Sequence, residues 1–469
     1  MRPGLSPPLS RHPPRGFPSV GNGTSLVYCE RTDIGRRRAN NQDSKAVLAP
    51  VTSHQFRSRG WLFLVADGMG AHAAGELASA IAAEQVPLIY EKTSQRSPPL
   101  ALRRGIEQVN AEIHHRGESQ PEFRGMGTTC TTLVLLPRGA LTGHVGDSRA
   151  YRLRGTKLEQ LTRDHSLVWE LQSAGGLSRE QAEGSAPKNI ITRSMGPHAR
   201  VDVDMEGPFK VEEGDVFLLC SDGLSGQVAD EEIGLLIKEL PPREACAALI
   251  GLALVRGAPD NVTVIVARAG PEEVSGHVAG DPPWTLDDDA PPAGPAGLPW
   301  SRLGISAASF LVALLVSPWS DLTKGASDIV QTVATVASAA ALLLALGMLL
   351  SAFLGFLMPG FPGMPGSDTG PLSAGGRLGR GPYRSYDCTP RQALLDGIIA
   401  SLESAADGLP PPDCERMLAI AARARRNAAT GGFHEAATAA AEAIAIYSRS
   451  VEEARSGDTH GRGSSPSPA

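Results

Sequence analysis

Leu64-Val-Ala-Asp-Gly-Met-Gly-Ala-His-Ala-Ala-Gly-Glu76 continues a short apolar run that opens at Trp61, and a run of that length suits a buried strand better than a helix. Asp67-Gly68 is expected to end the strand, and Gly70 and Gly75 lead into an Ala-rich helix from Glu76 to Tyr90. A carboxylate followed at once by Gly at the end of a buried strand suits a hard cation. The acid projects from a rigid support, and Gly lets the next carbonyl turn toward the same ion. A plain turn shares this local pattern, so its weight comes from repetition along the chain.

Three echoes follow. Val216-Phe-Leu-Leu-Cys-Ser-Asp222-Gly-Leu is a second apolar strand ending in Asp-Gly. Ala258-Pro-Asp260-Asn-Val-Thr-Val-Ile-Val places an acid at the entrance of a strand, and Leu141-Thr-Gly-His-Val-Gly-Asp147-Ser-Arg supplies a fourth. Acids at four strand ends can converge on one edge of a sheet core, where their repulsion calls for divalent cations.

The chain has 469 residues, enough for more than one domain, and its formal net charge of −6 gives no argument for a nucleic-acid partner. Six scattered cysteines include no CxxC pair, and Cys130 and Cys220 sit in strand-like runs, so reduced thiols in a cytosolic setting are expected. Residues 1–23 form a Pro-rich leader without the apolar core of a signal peptide, and disorder is expected there. Residues 24–270 alternate short β-like runs (25–31, 44–49, 61–66, 130–136, 141–147, 149–154, 201–206, 215–220, 262–268) with helical ones (76–91, 99–116, 166–174, 178–183, 230–238, 242–256). That order predicts an α+β domain of two packed antiparallel sheets flanked by helices.

Residues 271–300 are a Pro/Gly/Asp-rich linker. Residues 301–358 hold two apolar stretches, 303–319 and 329–357; the second is uncharged and long enough to cross a bilayer. Flanking arginines (Arg302, Arg377, Arg380, Arg384) favour a transmembrane hairpin with both ends cytoplasmic, with a single span as the alternative. A Gly/Pro-rich spacer (359–388), a helical Ala-rich segment (389–455) and a polar, disordered tail (456–469) complete the chain. Residues 427–444 resemble one tetratricopeptide-like helix-turn-helix, but one unit has no neighbour to stack on, so a small hairpin or docking segment is expected.

Taken in order, Thr32-Asp-Ile-Gly-Arg-Arg-Arg-Ala-Asn-Asn-Gln-Asp43, Ala66-Asp-Gly-Met-Gly-Ala-His-Ala-Ala-Gly-Glu76, Gly125-Met-Gly-Thr-Thr129, Gly146-Asp-Ser-Arg-Ala-Tyr151, Ser221-Asp-Gly-Leu224 and Pro259-Asp-Asn-Val-Thr263 resemble the metal-dependent PPM (type 2C) serine/threonine protein phosphatases, in their bacterial branch. The resemblance covers about half the chain. It implies an αββα sandwich with two Mn²⁺ or Mg²⁺ ions at one edge. Asp67 would bridge both, with the Gly68 carbonyl on one ion and Asp222 and Asp260 on the other; Asp147 with Asp222 would hold a third, weaker ion. Arg38 matches the arginine that grips the substrate phosphate, and Asp43 the acid beside a metal-bound water that attacks phosphorus directly.

Two positions depart from the family pattern: Gln42 stands where Glu is commoner, and Met69 where many eukaryotic members carry a histidine. His72 is read as a capping or packing residue, Arg36 and Arg37 as solvated, and Gly125, Gly127, Thr128 and Thr129 as turn positions. Ser148, Arg149 and Asn261 are read as braces of the metal loops, and Asp164-His165 as a structural hydrogen bond. The resulting expectation is a cell-membrane-tethered phosphatase with its catalytic domain in the cytoplasm, acting on phosphorylated proteins and opposing a Ser/Thr kinase. A catalytically silent phosphoprotein-binding scaffold is the alternative from another class, and an enzyme of small phosphoesters a third.

Overall fold

The computed structural model describes residues 26–70, 74–94, 97–175, 190–271, 339 and 378–461. Two compact units are formed, Met1–Leu286 with Gly375–Ala469, and Asp287–Ala374. Every element below belongs to the first. The apolar stretches 303–319 and 329–357, the helical run 178–183 and His72 lie outside the described residues. Among the described residues no helix is long and apolar enough to cross a membrane.

Two antiparallel sheets face each other. One takes the order β1 (Val27–Asp33), β11 (Val262–Arg268), β10 (Val216–Cys220), β7 (Arg149–Arg154), β8 (Lys157–Gln160), β12 (Arg384–Asp387). The other runs β2 (Asp43–Leu48), β3 (Trp61–Met69), β5 (Cys130–Leu136), β6 (Gly139–Val145), β9 (Asp204–Phe209), with the short β4 (Gly127–Thr128) also on β3. Period-2 alternation divides the side chains between two cores. Phe217, Leu219, Ile265 and Ala267 meet Phe63, Val65, Leu133 and Leu135 between the sheets. Val216, Leu218, Val264 and Val266 turn outward onto helices Asp230–Glu239 and Pro242–Val255. Helices Ala74–Thr93 and Pro98–Ser119 belong to the same domain, and Leu62 and Leu64, on the alternate face of β3, are fully buried.

Several boundaries differ from the expectation. β3 does not stop before Asp67: once β5 ends its pairing at Val65, β4 takes over, with Gly68 opposite Thr128 and Met69 opposite Gly127. The strand expected at 201–206 lies at Asp204–Phe209, with a register shift within its pairing to β6. Helix Ser53–Arg59, capped by the Thr52 hydroxyl accepting from Gln55 N–H at 3.2 Å, was not legible in a run so short and polar.

The largest difference is the C-terminal segment. The spacer expected over 359–388 is already structured from Leu378, which bridges Gly207, and residues 384–387 add β12 to the edge of the first sheet, Tyr386 opposite Leu158. Three helices follow, Gln392–Ala405, Pro411–Ala429 and Phe433–Gly461. They do not stand apart. Ile398, Ile399, Leu402, Met417, Ile444 and Tyr447 join one core with Leu235, Leu249 and Leu252 of the phosphatase-like region. The tetratricopeptide-like pair thus has neighbours to stack on, in the helices of the sandwich itself. Gly251 marks the closest approach: a Cβ there would lie 2.2 Å from Ile444 Cγ2.

This packing makes the tail part of the fold. Ile444→Ala, at a fully buried position, is expected to cost about 2–5 kcal/mol. Chemical denaturation followed through the two-sheet region of the chain measures it, and an unchanged midpoint there would show the tail to be dispensable.

Candidate active site

The acids meet where the strands predicted to carry them end. Asp43 opens β2 and is the register partner of Asp67 on β3. Asp147 follows β6, Asp222 opens the short helix Asp222–Ser225 after β10, and Asp260 precedes β11. Asp43 and Asp147 are buried, while Asp67, Asp222 and Asp260 keep some opening to solvent.

Burial first, then the charges of Asp43, Asp222, Asp147 and Asp260, hold the Asp67 carboxyl well above the usual range. Burial and Asp222 do the same to Asp147. Burial and Asp260 raise Asp222, against a hydrogen bond shared with Asp67. Burial pushes Asp43 up to about 7 against hydrogen bonds from Thr263 and Ser221. Five carboxyls so placed define one electrostatic site.

The donor set fits divalent cations. Asp43 Oδ1, Asp147 Oδ1 and Asp222 Oδ1 are buried oxygens without any hydrogen-bond partner, and an unmatched buried carboxylate oxygen is costly unless a cation meets it. Among the described residues no three acid, imidazole or thiol groups are drawn together at one point as a finished ligand set. Asp260 is ion-paired with Arg38 Nη2 at 2.6 Å, and Asp222 shares a hydrogen bond with Asp67. Gly68 is fixed by close approach; a Cβ there would lie 2.1 Å from the Gly75 carbonyl oxygen and 2.6 Å from that of Gln42.

Neutral bonds hold this charge in place. The Asp67 N–H donates to Thr129 Oγ1 at 2.8 Å, and its carbonyl accepts from Thr129 N–H at 2.8 Å and Thr128 Oγ1 at 2.9 Å. The two threonines are therefore the cradle of the central acid rather than turn positions, a role that nothing in their spacing announces. Asn261 Nδ2 donates to the carbonyls of Ile34 and Asn40, and its Oδ1 accepts from Gln42 N–H, so one amide fastens the Arg38 loop to the Asp260 loop. Ser221 Oγ donates to Asp43 Oδ2 at 2.8 Å and accepts from Thr263 N–H; it braces and is no nucleophile.

Arg149 is a brace as read, held by Asp164 at 2.6 Å and by the hydroxyl of Tyr151, which in turn donates to Asp230. His165 accepts from Gly146 N–H and meets Asp204 Oδ2 at 3.0 Å, the structural bond expected of Asp164-His165. Gln42 turns its side-chain amide toward the Gly70 carbonyl at 3.5 Å.

The C-terminal helix reaches the same loop, which sequence reasoning missed. Arg36, expected to be solvated, donates to the Tyr447 hydroxyl at 2.8 Å. Arg455 pairs with Asp33 at 3.2 Å and donates to the Gly35 carbonyl. The segment leading to Arg38 is thereby tied down on both sides, by Asn261 and by the tail.

A family model described as Protein phosphatase 2C matches residues 35–247. Protein phosphatase PhpP of Streptococcus pneumoniae is 36% identical over 247 residues, spanning 52% of this chain and 97% of the relative. Serine/threonine protein phosphatase PstP of Mycobacterium tuberculosis is 36% identical over 245 residues, 52% of this chain and 45% of the relative. A solved structure of a PstP catalytic domain in complex with two manganese ions is 36% identical, with TM-score 0.45, covering 52% of this chain and 98% of its own.

Two outcomes are expected. Asp222→Asn relieves repulsion among the acids, so in chelator its thermal midpoint should rise by roughly 2–5 °C, while Mn²⁺ should raise the wild type further than the variant; a lower midpoint in chelator would contradict the charge argument. The second concerns His144, fully buried between Thr131 Oγ1 and the Arg163 carbonyl, each at 2.9 Å. Burial, then His165, lowers it to about 3. The unfolded chain binds that proton below its ordinary value of 6.5 while the folded chain does not. Stability should therefore fall as pH drops through that window, by about 1.4 kcal/mol per unit from this group. His144→Gln should make the pH profile shallower by that slope in denaturation at successive pH values.

Proposed function

The chain belongs to the protein phosphatase 2C family and is a metal-dependent serine/threonine protein phosphatase, and from this premise we propose that the acid edge of its sandwich hydrolyses phosphoserine and phosphothreonine in proteins by direct attack of water. The observation that carries the reading is the cluster of Asp43, Asp147 and Asp222 oxygens left without partners around Asp67, at the edge where the ordered motifs meet. Asp67, Gly68, Asp222 and Asp260 would hold two Mn²⁺ or Mg²⁺ ions, and Asp147 with Asp222 a third. When bound, such ions activate water and screen phosphate charge.

The chain's own residues do the rest. Arg38, 47% exposed on its side chain, would exchange its single carboxylate partner for phosphate oxygens, which its planar fork can meet in pairs. Asp43, whose Oδ1 has no hydrogen-bond partner while its Oδ2 accepts from Ser221, is placed to orient the attacking water and take up its proton. Thr128, Thr129 and Asn261 keep the acids from moving apart as charge changes. No covalent phosphoenzyme is required, and all six cysteines are free thiols.

The reading extends to location. The uncharged stretch 329–357 supports a membrane tether, with the catalytic unit in the cytoplasm and a membrane-associated Ser/Thr kinase as its opposing partner. A tether raises the local concentration of membrane-bound substrates without any new contact at the site. Recovery of the intact chain in the soluble fraction of detergent-free lysates would remove this part of the proposal.

The direct test is phosphate release by the full chain from a phosphothreonine peptide with Mn²⁺, with Mg²⁺ and with chelator. Release should require metal, and Asp222→Ala should lower it by about 100-fold or more. A folded protein that releases nothing under any of these conditions would be a phosphoprotein-binding module instead.

A further inference from the structure

A cleft of about 390 Å³ runs from Asp147, Asp222 and Asp260 past Arg149 and Trp169 to Arg384. Arg384 comes from β12, beyond the residues that the family model matches. Its guanidinium lies 3.8 Å from the centre of the Trp169 ring, and its Nη2 donates to Gln172 Oε1. Trp169 is held in turn by Tyr383, ring edge to face at 6.2 Å. The backbone beneath is locked by the pairing of Arg384 with Gln160. This cation is presented to the cleft already ordered, so binding through it costs little conformational entropy.

Charge accounting separates it from its neighbours. Arg149 is matched by Asp164, and Arg38 by Asp260. Among the described residues, Arg384 forms no ion pair with a carboxylate; its contacts are the Trp169 face and the Gln172 amide oxygen. With the acids at the far end compensated by cations, the cleft would offer an anion two places: the phosphate position at the metals, and Arg384.

We propose that this cleft is a substrate subsite in which Arg384 receives an oxyanionic side chain, a carboxylate or a second phosphate, that flanks the phosphorylated residue of the same polypeptide. The proposal rests on the phosphatase reading and names its specificity. Arg384 is then the specificity-determining contact, contributed by a segment outside the catalytic match.

The test uses the full chain with Mn²⁺ and a series of phosphothreonine peptides with neutral flanks, in which one Gln at a time becomes Glu at each position near the phosphothreonine. One position should raise kcat/KM roughly tenfold, mainly through KM. Phosphoserine at that position, against Glu, tells which oxyanion the subsite takes. Arg384→Gln should collapse the Glu-to-Gln ratio to about one, and Arg384→Lys, which keeps the charge but loses the fork, should leave an intermediate ratio. Should Arg384→Gln fail to fold, the lysine variant decides alone. A flat response of the wild type to Glu at every position, or a ratio unaltered by the substitutions, overturns the subsite. No turnover of any peptide by the wild type sinks the phosphatase reading itself, a different result from turnover without preference.

Discussion

Asp43, Asp67, Asp147, Asp222 and Asp260 repel one another where water screens them poorly, and apart from the Arg38–Asp260 pair the bonds that hold them do not cancel their charge. The surrounding structure supplies such bonds. Threonine hydroxyls and peptide groups clamp the backbone of Asp67, Asn261 joins two loops through one amide, and Ser221 offers Asp43 a single hydroxyl. Of the nearby arginines Arg38 meets a site acid directly, Asp260, while Arg149 is spent on Asp164 and Asp230. The result is a strained negative site in a fold whose two cores are otherwise apolar and closely filled. That is the usual exchange of stability for function.

The catalytic half was legible because its chemistry is written in adjacent residues. A carboxylate next to Gly at the end of an apolar run can be recognised without knowing what lies across from it, and Asp67 and Asp222 were singled out this way, Asp260 by its place at the entrance of a strand. The braces were harder in proportion to the distance between partners. Arg149 and Asn261 sit beside a candidate ligand and were read as braces, and their bonds to Asp164 and to the Arg38 loop are of that kind. Thr128 and Thr129 act on Asp67, far off in sequence, and looked like part of a turn. The end of β3 was misplaced for the same reason: whether a strand continues past Ala66 depends on β4, a partner of two residues with no signal of its own.

The tail was misread more deeply. Its helices were visible, yet their alanine-rich faces gave no clue to what covers them. The covering surface belongs to helix Pro242–Val255, whose apolar residues suffice to make it look like an ordinary helix over a sheet. A small residue permits the contact, Gly251 lying under Ile444 and Ser448. Small residues read as helix propensity in a sequence and as close approach in a structure. The edge strand β12 is a further case, since Arg384–Asp387 has no alternation to mark it and gains its conformation from Lys157–Gln160.

The return of the tail to the sandwich also sets an order of events during synthesis. When the ribosome has finished Val255, every strand of the second sheet exists, but the outer face of helix Pro242–Val255 has nothing to lie against until Ile444 and Tyr447 emerge. At ordinary elongation rates that interval is roughly 10–40 s. The nascent domain passes it with an apolar face uncovered and with one sheet still ending at β8. A chaperone, or another apolar surface, has that long to compete for the face before the tail covers it.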